Sequence, residues 1–262
     1  VPLACNPQDG TEISWDSVGE GPALLLVHGS ALSRAIWRGF GYTKAFREQY
    51  RVITMDLRGH GRSGKPTRPS DYAMATLVAD ALAVLDAAGV QQAHFGGYSV
   101  GARLGFSLAV AEPGRLLSLA SLGGTYRIQP GTIGELFFPE YDAALREGGM
   151  PSFVEGWEAR MGGTLDPQTR AAFLANNGAS LRAYFAQTEA DPAIPDSDMA
   201  AITVPALLMA GSRDSGRVAD SQRAAELMPH ARFVELPGRS HGSTLVPPGP
   251  VLAHWLPFLE SV

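Results

Sequence analysis

Cysteine is almost missing from this chain. Cys5 is the one cysteine in 262 residues, so no intrachain disulfide can form, which fits a reducing compartment. Long apolar runs are missing as well, and none approaches the ~18–20 residues of a membrane span. No run of basic residues occurs and the net charge is -5, so nucleic acid is not an expected partner. His, Cys and carboxylate residues do not cluster at metal-ligand spacing, and neither a metal nor another cofactor is expected. Internal repeats and low-complexity tracts are also absent. The chain starts at Val1. It reads as a cytoplasmic protein, with secretion behind a removed leader left open. The expected partner is a small-molecule substrate, and the oligomeric state is left between monomer and homodimer.

What is present is an ordinary globular composition, 45% hydrophobic and 18% charged, enough to build a sizeable core. Short apolar runs bounded by turn residues occur at 23–27 (ALLLV), 51–56, 93–98, 116–122, 204–210 and 232–236. Runs of this kind suit strands of a sheet covered on both faces. Helical patterns lie between them at 72–88, 100–111 and 218–228, stopped by Gly89, Pro113 and Pro229. Alternation of strands and helices predicts parallel βαβ units, an α/β fold with a mostly parallel central sheet. The stretch 125–200 interrupts the rhythm with amphipathic pieces at 135–149, 151–163 and 167–190. A structureless loop of that length is improbable, so a helical cap inserted before the last two strands is expected. The division is then 1–124 core, 125–200 cap and 201–262 core.

The pattern G-x-S-x-G, which can mark a sharp strand-to-helix turn carrying a nucleophilic serine, occurs twice: around Ser99 (GYSVG, 97–101) and around Ser240 (GRSHG, 238–242). Ser99 follows an apolar run, opens a helical pattern and is surrounded by Gly96, Gly97, Gly101 and Ala102. A tight turn with close backbone contacts needs such small residues. Ser240 is followed by a proline-rich loop instead, so Ser99 is the candidate nucleophile. A serine hydroxyl needs a base, and the base an orienting acid. Both should lie past the C-terminal ends of strands, where open α/β sheets bind ligands. Asp214 follows the run 204–210, and His241 follows the run 232–236. His230 sits at the wrong end of the latter, and His254 reads as a packed residue of the terminal helical pattern. The order Ser99, Asp214, His241 is the one elbow-type hydrolases use. An oxyanion needs two backbone N–H donors. Val100, just after the nucleophile, and Ser30, in the loop His28-Gly29-Ser30 after the first run, are the candidates. His28 is expected to brace that loop beside the substrate pocket. Trp37 and the aromatics Phe137, Phe138, Tyr141, Phe153 and Trp157 are candidate pocket walls, which would suit an apolar substrate group.

A second glycine pattern, GHGRSG at 59–64, fits G-x-G-x-x-G, but Lys65-Pro66-Thr67-Arg68-Pro69 follows it rather than a helix, which argues against a dinucleotide site. The stretches LLVHGS, DLRGHGRSGKP, GYSVGA, MAGSRD and PGRSHGS, in this order, resemble the α/β-hydrolase superfamily across nearly the whole chain. The resemblance implies an eight-stranded, mostly parallel sheet, a Ser-Asp-His triad with no cofactor, and a carboxylesterase-like hydrolase acting on an ester of a small or medium apolar substrate. Thioester, lactone and C–C bond hydrolysis remain open, as does a receptor with slow turnover. Relatives with an aspartate nucleophile at the elbow, the haloalkane dehalogenases and epoxide hydrolases, differ at Ser99.

Overall fold

The computed structural model describes residues 1–262. Its centre is an eight-stranded sheet: β1 (Leu3–Cys5), β2 (Glu12–Val18), β3 (Ala23–Val27), β4 (Arg51–Met55), β5 (Ala93–Tyr98), β6 (Leu116–Leu122), β7 (Ala206–Gly211) and β8 (Ala231–Leu236). The spatial order is β1-β2-β4-β3-β5-β6-β7-β8. β1 and β2 are antiparallel to their neighbours, and every pairing from β4 to β8 is parallel. Two short helices follow β3, α1 (Ala35–Gly39) and α2 (Tyr42–Phe46); α3 (Met74–Ala87) and α4 (Val100–Ala111) flank β5. Between β6 and β7 come α5 (Thr132–Leu136), α6 (Tyr141–Met161), α7 (Pro167–Leu174), α8 (Gly178–Ala190) and α9 (Asp196–Ala200). The chain closes with α10 (Ser215–Leu227) and α11 (Gly249–Glu260). No helix is long and apolar enough to cross a membrane.

Side chains on a strand alternate between faces, and this alternation splits the core in two. Leu25 and Val27 of β3 join a cluster of 47 buried residues with Leu77 and Val84 of α3, Leu104 of α4 and Ala224 of α10. Leu24 and Leu26 join a cluster of 18 on the opposite face, with Trp37, Tyr42, Phe46 and Trp255 from α1, α2 and α11. Both faces of β3 are covered, which is why ALLLV is an unbroken apolar run.

Between β6 and β7 the expected helical pieces at 135–149 and 151–163 correspond to α6 and the piece at 167–190 to α7 and α8, while α5 and α9 lie largely outside them. The expected break near residue 149 is a kink inside α6, where Gly149 takes φ 63° two residues before Pro151. The insertion is tied to the core by side chains. Arg103 of α4 donates to the carbonyls of Thr188, Asp191 and Pro192, and Asn176 donates to the carbonyl of Ala31. On the core side, the loop after β4 is held by a fully buried ion pair. Arg58 meets both carboxylate oxygens of Asp80 at 2.7 Å, and Asn6 donates to the same carboxylate at 2.6 Å. A buried pair is tolerable when its remaining lone pairs are satisfied in this way.

Candidate active site

Ser99 stands between β5 and α4 with φ 56° and ψ −115°, one of two non-glycine residues with positive φ. Such a conformation costs on the order of 1–3 kcal/mol and persists only where its surroundings impose it. Here they do. A Cβ on Gly97 would come within 2.3 Å of the Gly101 backbone, and one on Gly101 within 2.3 Å of the Val27 carbonyl. The Ser99 N–H donates to the Leu122 carbonyl at the end of β6 at 2.9 Å. The turn is thereby clamped between β3, β6 and the first turn of α4.

Asp214 follows β7 and precedes α10; His241 follows β8. Their two loops are stitched together. Ser212 N–H donates to the Leu236 carbonyl, Arg213 N–H to the Arg239 carbonyl, and Gly238 N–H to the Ser212 hydroxyl. The result is a continuous chain of contacts: Asp214 Oδ2 lies 2.7 Å from His241 Nδ1, and His241 Nε2 lies 3.0 Å from Ser99 Oγ. Both Asp214 and His241 side chains are 16% exposed. Tyr98 stacks on the His241 ring at 5.4 Å and donates its hydroxyl to the His241 carbonyl at 2.8 Å. Ser240 is exposed and pairs with Ser243; its G-x-S-x-G stretch serves to carry His241.

The loop after β3 runs beside Ser99, with Gly29 so close that a Cβ would meet the Ser99 Cβ at 3.2 Å. Neither the Ser30 N–H nor the Val100 N–H is taken up by a protein acceptor. Two buried histidines brace this loop. His28 Nε2 accepts from Leu57 N–H at 3.0 Å, and its Nδ1 lies 2.7 Å from the Gly29 carbonyl. His60 Nε2 accepts from Ala31 N–H at 3.0 Å, and its Nδ1 lies 2.9 Å from the Arg58 carbonyl. Each ring must accept at Nε2 and donate at Nδ1, so each is neutral. Burial drives both below the ordinary histidine range, His60 to about 3.

A folded-state pKa below the unfolded value means that the unfolded chain takes up protons the folded chain refuses. The contribution is complete above about pH 6.5 and declines as pH falls toward the folded pKa. His60 alone is expected to remove on the order of 2 kcal/mol of stability between pH 7 and about pH 4.5. Urea midpoints measured across that range should fall with acidification, less steeply in His60→Gln. Equal slopes in the two proteins would contradict the neutral, Ala31-bonded ring.

A cavity of about 20 Å³ touches Ser99. It is lined by Ser30, Val100, Arg103, Thr125, Ile128, Ile133, Leu136 and Arg217 among others. A second, of about 470 Å³, opens beside His241 and Asp214 and shares Thr132, Leu136 and Arg217 with the first. The expected pocket walls are largely elsewhere. Trp37 lies in the core on the α11 side of the sheet, edge-on to Tyr42 at 5.4 Å. Phe137 packs on Phe153, Trp157 and Phe185 at 5.0–5.6 Å, and Phe138 on Phe153 at 5.5 Å. Tyr141 packs on Phe185 at 5.6 Å. These aromatics bury one another between the helices of the insertion, which removes more apolar surface from water than lining a cleft would. His28 is fully buried and lines neither of these two cavities. His254, expected to be packed, is exposed on α11.

Several residues at the site carry no local sequence signal. Tyr184 of α8 is fully buried, and its hydroxyl lies 2.7 Å from Ser30 Oγ, tying the insertion to the loop after β3. Burial pushes that phenol up to about 12. Arg103 and Arg217 were also unmarked, although their spacing, four residues after Ser99 and three after Asp214, puts them one helical turn away.

A strand-turn-helix serine, histidine and carboxylate past neighbouring strand ends, and a mostly parallel eight-stranded sheet together define a class of hydrolytic α/β protein. Residues 22–166 match the model of the alpha/beta hydrolase fold family, more than half of the chain, and the chain belongs to that family. It is 31% identical over 181 residues to the pimeloyl-(acyl-carrier protein) methyl ester esterase of Methylococcus capsulatus, covering 61% of this chain and 67% of that protein. Among solved structures, a hydrolase from Pseudomonas aeruginosa superposes with a TM-score of 0.84 at 27% identity, over 98% of both chains. The enol-lactonase from Burkholderia xenovorans also gives 0.84, at 23% identity over 99% of this chain and 100% of that one, a likeness of fold. The mouse and rat bifunctional epoxide hydrolases match at 31% and 30% over 132 residues, where this chain spans 24% of their length.

Proposed function

We propose that this alpha/beta hydrolase is a serine esterase that cleaves a carboxylic ester of a small or medium substrate with an apolar body. Ser99 Oγ attacks the ester carbonyl as His241 Nε2 takes its proton. Asp214 holds the imidazole with Nδ1–H toward the carboxylate and stabilises the imidazolium. The N–H groups of Ser30 and Val100 receive the oxyanion, at the N-terminus of α4 where partial positive charge accumulates. The leaving alcohol takes the proton from His241. Water, activated by the same nitrogen, then attacks the acyl-enzyme and releases the acid, restoring the Ser99 hydroxyl. Ile128, Ile133 and Leu136 supply the apolar contact, and residues 125–200 act as the cap domain that selects substrate.

The observation that carries this reading is the hydrogen-bonded series Asp214–His241–Ser99 at 2.7 and 3.0 Å, ending on a serine held at positive φ. A serine in place of aspartate at the elbow argues against transferring an epoxide-opening activity from the epoxide hydrolase relatives. Treatment with a fluorophosphonate should add one equivalent of mass, retained in Ser240→Ala and lost in Ser99→Ala. A labelled Ser99→Ala protein, or an unlabelled but folded parent, would remove the proposal.

A further inference from the structure

Two guanidinium groups border the Ser99 cavity without a carboxylate partner. Arg217, half-buried on the first turn of α10, lines both that cavity and the larger one beside it. Its guanidinium makes no hydrogen bond within the protein and no ion pair within 4.0 Å. Two acidic residues flank it on the helix, Asp214 three residues before and Asp220 three after, but both are occupied. Asp214 holds His241, and Asp220 holds Arg127 at 2.7 Å together with the Thr125 hydroxyl. Arg103 is 1% exposed, and its terminal nitrogens reach only backbone carbonyls of the insertion. Its Nε is buried and has no acceptor at all.

Leaving such groups unpaired is costly. A guanidinium taken out of water without a counter-charge loses solvation that neutral carbonyls replace only in part. Desolvation lowers the proton affinity of both arginines, and the carboxylates of Asp214 and Asp220 near Arg217, and of Asp191 near Arg103, oppose it only in part from beyond ion-pair distance. The rest of the smaller cavity is neutral or apolar, with Ser30, Thr125, Ile128, Thr132, Ile133, Leu136 and Thr188, whereas the larger one also carries Glu135, Asp214 and Asp220. An anion entering with the substrate would supply the missing charge.

We propose that Arg217, backed by the charge of Arg103, binds a carboxylate carried by the substrate, so that the preferred substrates are half-esters of short dicarboxylic acids. A single free guanidinium fork matches the two oxygens of a planar carboxylate. The body of such a substrate would cross Ile133 and Leu136 while its ester carbonyl meets Ser99. Hydrolysis adds one water across the ester bond and yields the dicarboxylic acid and the alcohol. The proposal rests on the esterase reading of Ser99.

The test compares the monomethyl esters of succinic, glutaric and adipic acids with methyl butanoate, pentanoate and hexanoate, following methanol release. The wild-type protein should prefer at least one half-ester over its neutral counterpart by tenfold or more in kcat/KM. Arg217→Met should lower that ratio by roughly 10- to 100-fold, the range of a charge-assisted contact, and Arg217→Lys should restore part of it. Equal ratios in wild type and Arg217→Met would overturn the carboxylate site. If neither ester series is hydrolysed, titration calorimetry of Ser99→Ala with succinate, glutarate and adipate separates the two ideas. Binding that Arg217→Met abolishes would keep the carboxylate site and put the failure in the ester chemistry; no binding, with the parent's Ser99 still taking the fluorophosphonate label, would overturn the carboxylate site alone.

Discussion

Ser99→Ala is expected to lower kcat by roughly 10⁴-fold or more, because nucleophile, base and acid act as a unit. The same position should reveal a cost in stability. The alanine variant keeps a Cβ at φ 56° and therefore keeps the strain; Ser99→Gly removes it. Relief of on the order of 1–3 kcal/mol is partly offset by about 0.5–1 kcal/mol of added unfolded-chain entropy for glycine. The glycine variant should thus be the more stable of the two by about 1 kcal/mol, a rise of ~2–4 °C in Tm for a chain of this size. Both variants should be inactive. Kinetics and calorimetry on the pair answer the two questions independently. An alanine variant retaining a tenth of the parental rate would remove Ser99 from the chemistry, and a less stable glycine variant would mean that the turn is not strained.

Asp214→Asn is the second large effect. An amide of nearly the same shape preserves the packing of the loops after β7 and β8, but its NH₂ group can donate to His241 Nδ1. The ring would then carry its proton on Nε2, the nitrogen 3.0 Å from Ser99 Oγ, and could no longer accept the serine proton. A loss of roughly 10³–10⁴-fold in kcat near neutral pH is expected, the scale of a tautomer defect in such triads. Adding this change to Ser99→Ala should slow the reaction little further, since the base has nothing left to activate. Steady-state rates for the two single variants and the double variant form the cycle. A simple product of the two losses would mean that the residues act separately.

Much of the site was written locally. ALLLV, AHFGGY and LLSLASL are strands because parallel strands buried on both faces need unbroken apolar runs. Gly97 and Gly101 mark the elbow because backbone from β3 and α4 occupies the space a side chain would take. Ser99, Asp214 and His241 each follow a strand in chain order, so a parallel sheet gathers their loops at one edge. β1 and β2 left no comparable signal. Leu3–Cys5 alternates exposed and buried positions in a run too brief to separate from loop, and Glu12–Val18 is interrupted by polar and charged residues such as Ser14 and Asp16.

Other features depend on partners far away in the chain. Phe137, Phe138 and Trp157 have the spacing of a pocket wall and of a helical core alike; only the packing of α6, α7 and α8 decided for core. The bracing of Ala31 by His60 joins residues 29 apart, and that of Ser30 by Tyr184 joins residues 154 apart. Arg217 is the sharpest case. On the sequence it sits between Asp214 and Asp220 and carries no signal of a role. The fold commits Asp214 to His241 and Asp220 to Arg127, and so leaves the arginine without an ion pair in the cavity beside Ser99. Turn chemistry depends on residues a few positions apart, so the sequence alone determined the turn at Ser99 and the chain order of Ser99, Asp214 and His241. The pairing of a charge depends on which distant groups reach its neighbours first, and only the tertiary structure decided that.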